Sequence, residues 1–278
     1  MGPATRFKNW AHRIVPRPVM NGGWNLASDL KDLPMRLKTP GAPRPWRIWH
    51  NVGGGDFHQI GQQYFEWFRK GAHLTPSAHV LDMGCGAGRL AFPLAQYLDS
   101  AGAYTGFDLS ERALGFARRH VRGPARFTFV KADVQSREYG GSGSKTSSYR
   151  FPVEDESIDA ALAISLFSHL LPEDAAAYLK EAGRVLKPGG RLCLTGFLVR
   201  PGMLLDDAVL SLKPFRDGAW AADPREPERA IGYEQSAFEA WLDRAGLRLA
   251  EPVQAGHWSG PIREGEFQDR IIVERRGD

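Results

Sequence analysis

Three glycines at alternate positions follow an acid, in the order Asp82, Gly84, Gly86 and Gly88. Glycine adopts positive φ without steric cost, so this spacing lets the backbone approach a ligand closely. The amphipathic pattern beginning near Leu90 predicts a helix, whose first N–H groups favour negative charge. A dinucleotide-binding loop has the spacing G-x-G-x-x-G, which differs from this one. The residues therefore predict a cofactor site of another kind.

Two further acids close predicted strands. Asp108 ends the run 103–108, and Asp133 ends the alternating run 126–133. A carboxylate at the position of Asp108 can accept hydrogen bonds from both hydroxyls of a ribose, as the corresponding acid does in dinucleotide folds. The glycine loop and this acid together predict a ligand that contains a nucleoside.

The elements that position these residues follow a strand–helix order. A buried strand is predicted over 157–165 and a helix over 173–186, followed by the turn Leu186–Gly190 and a strand over 192–197. A helix over 236–245 and strands over 247–252 and 269–275 end the chain. In this order, the acid-glycine loop, the two strand-end acids and the Leu-Lys-Pro-Gly-Gly turn resemble class I S-adenosylmethionine-dependent methyltransferases, specifically bacterial small-molecule enzymes whose substrate is unassigned.

The resemblance implies an α/β fold. It consists of a Rossmann-like, seven-stranded, mostly parallel sheet with an antiparallel last strand and helices on both faces. It also implies S-adenosyl-L-methionine as cofactor, with an acid after the third strand contacting the adenine amino group. The cofactor-binding residues that follow are Asp82, Gly84, Gly86, Gly88, Asp108, Leu109, Asp133, Val134 and Ser165. Two alternatives stay open: Asp82 orients the loop without touching the ligand, and Asp133 caps a turn.

Three histidines are candidate general bases. His169 follows the fourth strand, His58 lies in a helix predicted over about 57–70, and His257 lies in the loop of the C-terminal hairpin. Histidine titrates near neutral pH, so each could accept a proton from a hydroxyl. The alternative is that each is a structural residue, and His169 only braces the next helix.

Methyl transfer from a sulfonium depends mainly on orienting the nucleophile behind the methyl carbon. We expect transfer to a small-molecule acceptor, with an oxygen of a secondary metabolite, sugar or phenol as the leading hypothesis. The alternatives are N- or C-methylation of a metabolite, or a cofactor-binding protein of the same fold with other chemistry.

Several classes are disfavoured. The fourth strand leads into Ala163-Ile164-Ser165-Leu166-Phe167, which differs from the Asn/Asp-Pro-Pro-Tyr/Phe motif of nucleic-acid amine methylation. No nucleic-acid partner is therefore expected. The acid–amide set of magnesium-dependent catechol enzymes does not follow that strand, and no metal is predicted. Cys85 and Cys193 suggest neither a disulfide nor a zinc site.

The charge is uneven along the chain. Residues 1–50 hold nine Lys and Arg against two Asp, a net +7, which leaves −3 of the total +4 for the remainder. Two interpretations of this basic, Pro- and Trp-rich arm stay open: its tryptophans pin it to the enzyme, or it contacts an anionic membrane surface.

The methyltransferase domain is predicted over 51–278, with a substrate-side lid over 200–231 and a flexible loop over 135–148. No apolar run is long enough to span a bilayer, so we expect a cytoplasmic protein. The pattern does not indicate an oligomeric state.

Overall fold

The structure is a computed structural model that describes residues 29–30, 33, 43–46, 56–136, 141–203, 205, 208–260 and 265–277. Most of the arm over 1–50 therefore lies outside the described residues, and so does the tip of the 135–148 segment. None of the helices described is long and apolar enough to cross a bilayer.

The main sheet has seven strands in the spatial order β12-β13-β7-β6-β1-β2-β3. Neighbouring strands from β7 to β3 pair in parallel, whereas β13 runs antiparallel to both of its neighbours. The predicted fold class is therefore confirmed, including the antiparallel last strand. The strand bounds are His79–Met83 for β1, Ala103–Asp108 for β2, Arg126–Lys131 for β3, Ile158–Ala163 for β6, Leu186–Gly196 for β7, Leu247–Leu249 for β12 and Asp269–Arg275 for β13.

Helices cover both faces of this sheet. On one face, α1, α2 and α3 bury a core that includes Phe68, Leu94 and Leu114. On the other face, α4 and α5 pack through residues such as Leu179 and Phe238. The helix bounds are Phe57–Gly71 for α1, Ala91–Tyr97 for α2, Glu111–His120 for α3, Pro172–Val185 for α4 and Gln235–Arg244 for α5.

The Leu-Lys-Pro-Gly-Gly sequence is part of β7. Ile158 pairs with Leu186, but Ala160 pairs with Arg191, so the intervening residues form an irregularity in the ladder. Gly189 has φ of +76°, a conformation that glycine adopts without strain. The predicted turn is thus a bulge that enters the strand, because hydrogen bonding to β6 resumes directly after it.

A second sheet arises largely from the 200–231 insertion. Its four strands are in the order β8-β11-β10-β9. Trp258 of the C-terminal segment is fully buried against Phe197 and the apolar residues of the insertion. We call this unit the small sheet; its strands are β8 (Leu198–Val199), β9 (Lys213–Pro214), β10 (Ala219–Ala221) and β11 (Ile231–Glu234).

Outside residues 137–140, which are not described, the 135–148 segment contains short regular elements, although its Gly- and Ser-rich composition predicts a loop. Strands β4 (Gln135–Ser136) and β5 (Gly141–Ser142) pair antiparallel, and a short 3-10 turn follows over Thr146–Ser148. The Thr146 hydroxyl is buried and donates to the Gln135 carbonyl over 2.6 Å. The described part of this segment therefore folds back onto the end of β3.

Candidate functional site

The glycine loop lies between the carboxyl end of β1 and α2. Gly84, Gly86 and Gly88 all have positive φ, at +74°, +52° and +80°. The N–H groups of Gly84 and Cys85 both donate to the Phe107 carbonyl, at 2.9 and 3.1 Å. The loop is therefore held against the end of β2 by its own backbone. Side chains other than glycine would be strained at these three φ values, which explains the alternating spacing.

Asp108 ends β2 beside this loop. One carboxylate oxygen accepts from the Gly86 N–H at 2.9 Å, and the other accepts from the Ser110 N–H at 2.8 Å. Because each carboxylate oxygen has two lone pairs, each keeps acceptor capacity for a ligand hydroxyl. Burial raises the pKa of Asp108, and its backbone hydrogen bonds oppose that shift. The geometry suits recognition of two neighbouring hydroxyl groups.

Asp82 lies beneath the loop. Its side chain is buried and accepts a 2.6 Å hydrogen bond from the hydroxyl of buried Tyr104. Burial raises the pKa of Asp82 to about 7, with a further contribution from the charge of Asp108. The contact with Tyr104 favours the interpretation that Asp82 braces the loop.

Asp133 and its neighbours form the other side of the site. Asp133 is exposed, and its carbonyl accepts from both the N–H and the hydroxyl of Ser144 at 3.2 Å. The side chain of Val134 is buried in the core, whereas Leu109 is partly buried against it. The structure therefore places Asp133 at the surface, near Asp108 and in contact with the 141–148 segment. Because the Val134 side chain is buried, only its backbone is available to contact a ligand.

A family model described as a methyltransferase domain matches residues 80–190. This range begins in β1 and runs through the glycine loop, Asp108, Asp133 and the bulge of β7. The chain carries a class I S-adenosylmethionine-dependent methyltransferase domain. S-adenosylmethionine is the cofactor of this family, as the sequence predicted.

Relatives of the methyltransferase domain include bacterial methyltransferases. The chain is 28% identical over 206 residues to the methyltransferase GfsG of Streptomyces halstedii, covering 73% of this chain and 64% of that one. It is 33% identical over 196 residues to the 27-O-demethylrifamycin SV methyltransferase of Amycolatopsis mediterranei, covering 63% and 65%. The chain thus spans less than two thirds of the length of these curated relatives.

Solved structures agree on the fold. The magnesium protoporphyrin IX methyltransferase of Synechocystis PCC 6803, with bound S-adenosylhomocysteine, aligns with a TM-score of 0.52 at 19% identity, covering 90% of this chain and all of that one. The cyclase SpnF aligns with a TM-score of 0.53 at 17% identity, covering 93% and 97%. At this level of identity, the similarity establishes a common fold.

The residues of the methyltransferase domain fit the cofactor. The glycines of the loop leave its backbone accessible to a ligand, and the Asp108 carboxylate beside the loop has two oxygens that can accept hydrogen bonds. Arg89 follows the loop, with its guanidinium 5.5 Å from the centre of the Phe57 ring on α1. This contact brings α1 against the loop.

Ser165 is exposed at the end of β6, next to the loop. The side chain of its neighbour Leu166 lies 3.5 Å from where a Cβ on Gly84 would stand. Ser165 has φ of +55°, and its hydroxyl donates to the Oε1 atom of Gln268 at 3.2 Å. The structure thus places this predicted residue at the edge of the site, in a polar cluster with Thr195 and Ser168.

The three candidate bases occupy different places. His169 lies in the 3-10 turn Phe167–His169, and its Nδ1 is 2.8 Å from the Glu228 carbonyl of the insertion. His58 lies on α1 with Nε2 3.0 Å from the Pro43 carbonyl, and burial lowers its pKa. His257 packs edge-on against Phe267, with a buried Nδ1. Among these ring contacts, only that of His169 reaches the 200–231 insertion.

Sequence reasoning missed several residues of the site. Thr195 on β7 and Gln268, just before β13, hold Ser165, and Tyr104 on β2 binds Asp82. The available signal is the position of Tyr104 inside a predicted strand, because a tyrosine hydroxyl that is buried in a sheet requires a partner. Gln268 carries no such signal, since it lies in a loop.

Proposed function

We propose that this protein transfers a methyl group from S-adenosylmethionine to an oxygen of a small molecule. The observation that carries the proposal is the junction of the positive-φ glycine loop and Asp108, whose carboxylate is positioned for two ribose hydroxyls. The bound cofactor supplies an electrophilic methyl group on a sulfonium. The chain itself binds the cofactor, holds the acceptor in line and excludes competing water.

The preference for oxygen is supported by the names of relatives. The 27-O-demethylrifamycin SV methyltransferase and an O-methyltransferase of Pyrenophora dematioidea both match this chain. The latter is 28% identical over 138 residues, covering 49% of this chain and 45% of that one. A hydroxyl acceptor requires removal of a proton during transfer, so a nearby base is useful.

His169 is the base that we propose. The carbonyl of Glu228 can only accept a hydrogen bond, so the contact fixes the proton on Nδ1 in the neutral ring. The lone pair then resides on Nε2, the form that receives a proton. The 200–231 insertion, which supplies Glu228, would thereby orient the base and form the substrate side of the site.

The donor site comprises the glycine loop, Asp108, Leu109, Asp133 and the backbone of Val134. In this assignment Asp82 acts beneath the loop through Tyr104. The acceptor enters from the side of the insertion, because open α/β sheets bind ligands beyond the carboxyl ends of their strands.

Two experiments test the proposal. Calorimetry measures the binding of S-adenosylmethionine, and an assay then follows transfer of its tritium-labelled methyl group to a panel of phenols, alcohols, amines and activated carbon acids. We expect cofactor binding, and labelling of hydroxyl compounds that falls at least tenfold in His169→Gln. The matched control is His79→Gln at the opposite, amino end of β1. Labelling of amines or carbon acids alone would replace oxygen as the acceptor, and cofactor binding without transfer to any class would contradict the proposed activity.

A further inference from the structure

Ser165 is held in an unusual conformation. It is the second residue after β6 and has φ of +55°, where residues with side chains are strained. Such residues persist where surrounding contacts over-determine them, and they concentrate at functional sites. Ser165 also has an exposed side chain, so the strain does not serve the packing of the core.

Three hydrogen bonds fix this residue. Its N–H donates to the Thr195 hydroxyl at 2.8 Å, and its carbonyl accepts from the Ser168 hydroxyl at 3.1 Å. Its own hydroxyl donates to Oε1 of Gln268 at 3.2 Å. Backbone donor, backbone acceptor and side chain are therefore each held by a different residue.

The direction of every bond in this cluster follows from counting protons. The Thr195 hydroxyl accepts from Ser165, so its single proton goes to Oε1 of Gln268 at 2.6 Å. The Ser168 hydroxyl donates to Ser165, so it accepts from Nε2 of Gln268 at 3.1 Å. Since a hydroxyl has one proton, Ser165 uses its own on Gln268 and offers a ligand only lone pairs.

The cluster lies between the donor loop and the small sheet. Leu166 packs beside Gly84 on one side. On the other side, the turn that carries Ser168 also carries His169, which contacts Glu228 of the insertion. Thr195 lies on β7, and Gln268 directly precedes β13, whose first residue Asp269 binds the N–H group of Leu198 in the small sheet.

We propose that the Ser165 hydroxyl accepts a hydrogen bond from the O–H group of the methyl acceptor, with Gln268 as its positioning residue. This assignment rests on the proposed function. The contact orients the acceptor oxygen before transfer. During transfer the bond from that oxygen to the methyl carbon forms as the carbon–sulfur bond of the cofactor breaks, and the acceptor proton leaves for His169, the proposed base, so the product has no proton to donate to Ser165. The methylated product therefore loses this hydrogen bond and binds more weakly.

A matched pair of ligands tests the assignment without requiring transfer. The full chain is saturated with S-adenosylhomocysteine, and 4-fluorophenol and its methylated counterpart 4-fluoroanisole are titrated by fluorine NMR. We expect the phenol to bind about fivefold more tightly than the ether, the value of one neutral hydrogen bond. The preference should disappear in Ser165→Gly, which suits the positive φ and removes only the hydroxyl.

The Gln268 variants separate positioning from folding. Gln268→Leu should abolish the preference, whereas Gln268→Glu keeps an oxygen that accepts from Ser165 and should restore it. Equal binding of the two ligands to the wild-type protein, or an unchanged preference in Ser165→Gly, would overturn the assignment. So would a loss of S-adenosylhomocysteine affinity in Ser165→Gly with the preference intact, because the hydroxyl would then serve the donor. Failure of the proposed function is a different result: the protein would bind the phenol more tightly than the ether but transfer no methyl group to any acceptor.

Discussion

Tyr104 donates a 2.6 Å hydrogen bond to Asp82, and both side chains are buried beneath the glycine loop. Asp82 is the acid of the loop motif, and its hydrogen-bond partner comes from the neighbouring strand β2. The bond joins β1 to β2 at the point where the loop begins. The stability of the loop is thus tied to the protonation of a buried carboxyl group.

The first prediction concerns pH. Burial raises the pKa of Asp82 to about 7 in the folded protein, against 3.8 for an ordinary aspartate. The folded state therefore binds the proton more tightly, so this group's contribution to stability is largest below pH 4 and is lost between pH 4 and 7. Asp82→Asn should remove this component.

Thermal unfolding of the wild type and of Asp82→Asn at pH 5 and pH 8 measures the contribution of Asp82 to the pH dependence of stability. The difference in melting temperature between the two pH values should be smaller in the variant. Asp155→Asn, at an exposed position, is the control and should retain the wild-type difference. An identical pH dependence in wild type and Asp82→Asn would contradict the buried titration.

The second prediction concerns cofactor affinity. Asp108→Ala removes the acceptor beside Gly86, so S-adenosylmethionine should bind at least about 100-fold more weakly, the value of two hydrogen bonds to a charged group. Burial raises the pKa of Asp108, so affinity should also fall as acid protonates this carboxylate in the wild type. Calorimetry across pH measures both effects. Glu111→Ala, on the exposed first turn of α3, is the control. Equal affinities in wild type and Asp108→Ala would refute the ribose assignment.

The third prediction concerns the attachment of the small sheet. Buried Asp269 accepts hydrogen bonds from the N–H groups of Leu198 and Gly256 and from the Trp258 indole, and it faces Arg200 at 3.4 Å. Asp269→Asn presents an amide to these donors and leaves the cation unpaired. We expect a loss of about 3–5 kcal/mol in the free energy of unfolding.

Urea unfolding measures this loss. Asp243→Asn breaks an exposed ion pair with Arg276 and should cost less than about 1 kcal/mol. If both substitutions cost the same, Asp269 does not anchor the small sheet.

The fourth prediction concerns the 141–148 segment. A Cβ on Gly143 would lie 2.3 Å from the carbonyl and carboxylate oxygens of Asp133, so Gly143→Ala must displace the segment. We expect weaker cofactor binding together with a lower melting temperature. Gly115 on α3 has open space around a Cβ, so Gly115→Ala should stabilise the protein by about 0.5–1 kcal/mol and leave affinity unchanged. Unaltered affinity in Gly143→Ala would show that the segment does not support the cofactor site.

The sequence alone determined the fold and the donor half of the site. The requirement for positive φ specifies glycine at positions 84, 86 and 88, and a short, largely apolar run that ends in an acid marks β2, which was predicted with its observed bounds. Each of these constraints involves only a few consecutive residues, so it can be predicted from the local sequence.

Only the tertiary structure shows the contacts on which the proposed acceptor side rests. The hydroxyl of Ser165 meets Gln268 across 103 positions of sequence, and His169 meets Glu228 across 59. The 141–148 segment closes on Asp133 although its composition predicts a loop. Contacts of this kind depend on which chain segments the sheet brings to one edge, and a single polar residue in a loop does not encode its distant partner.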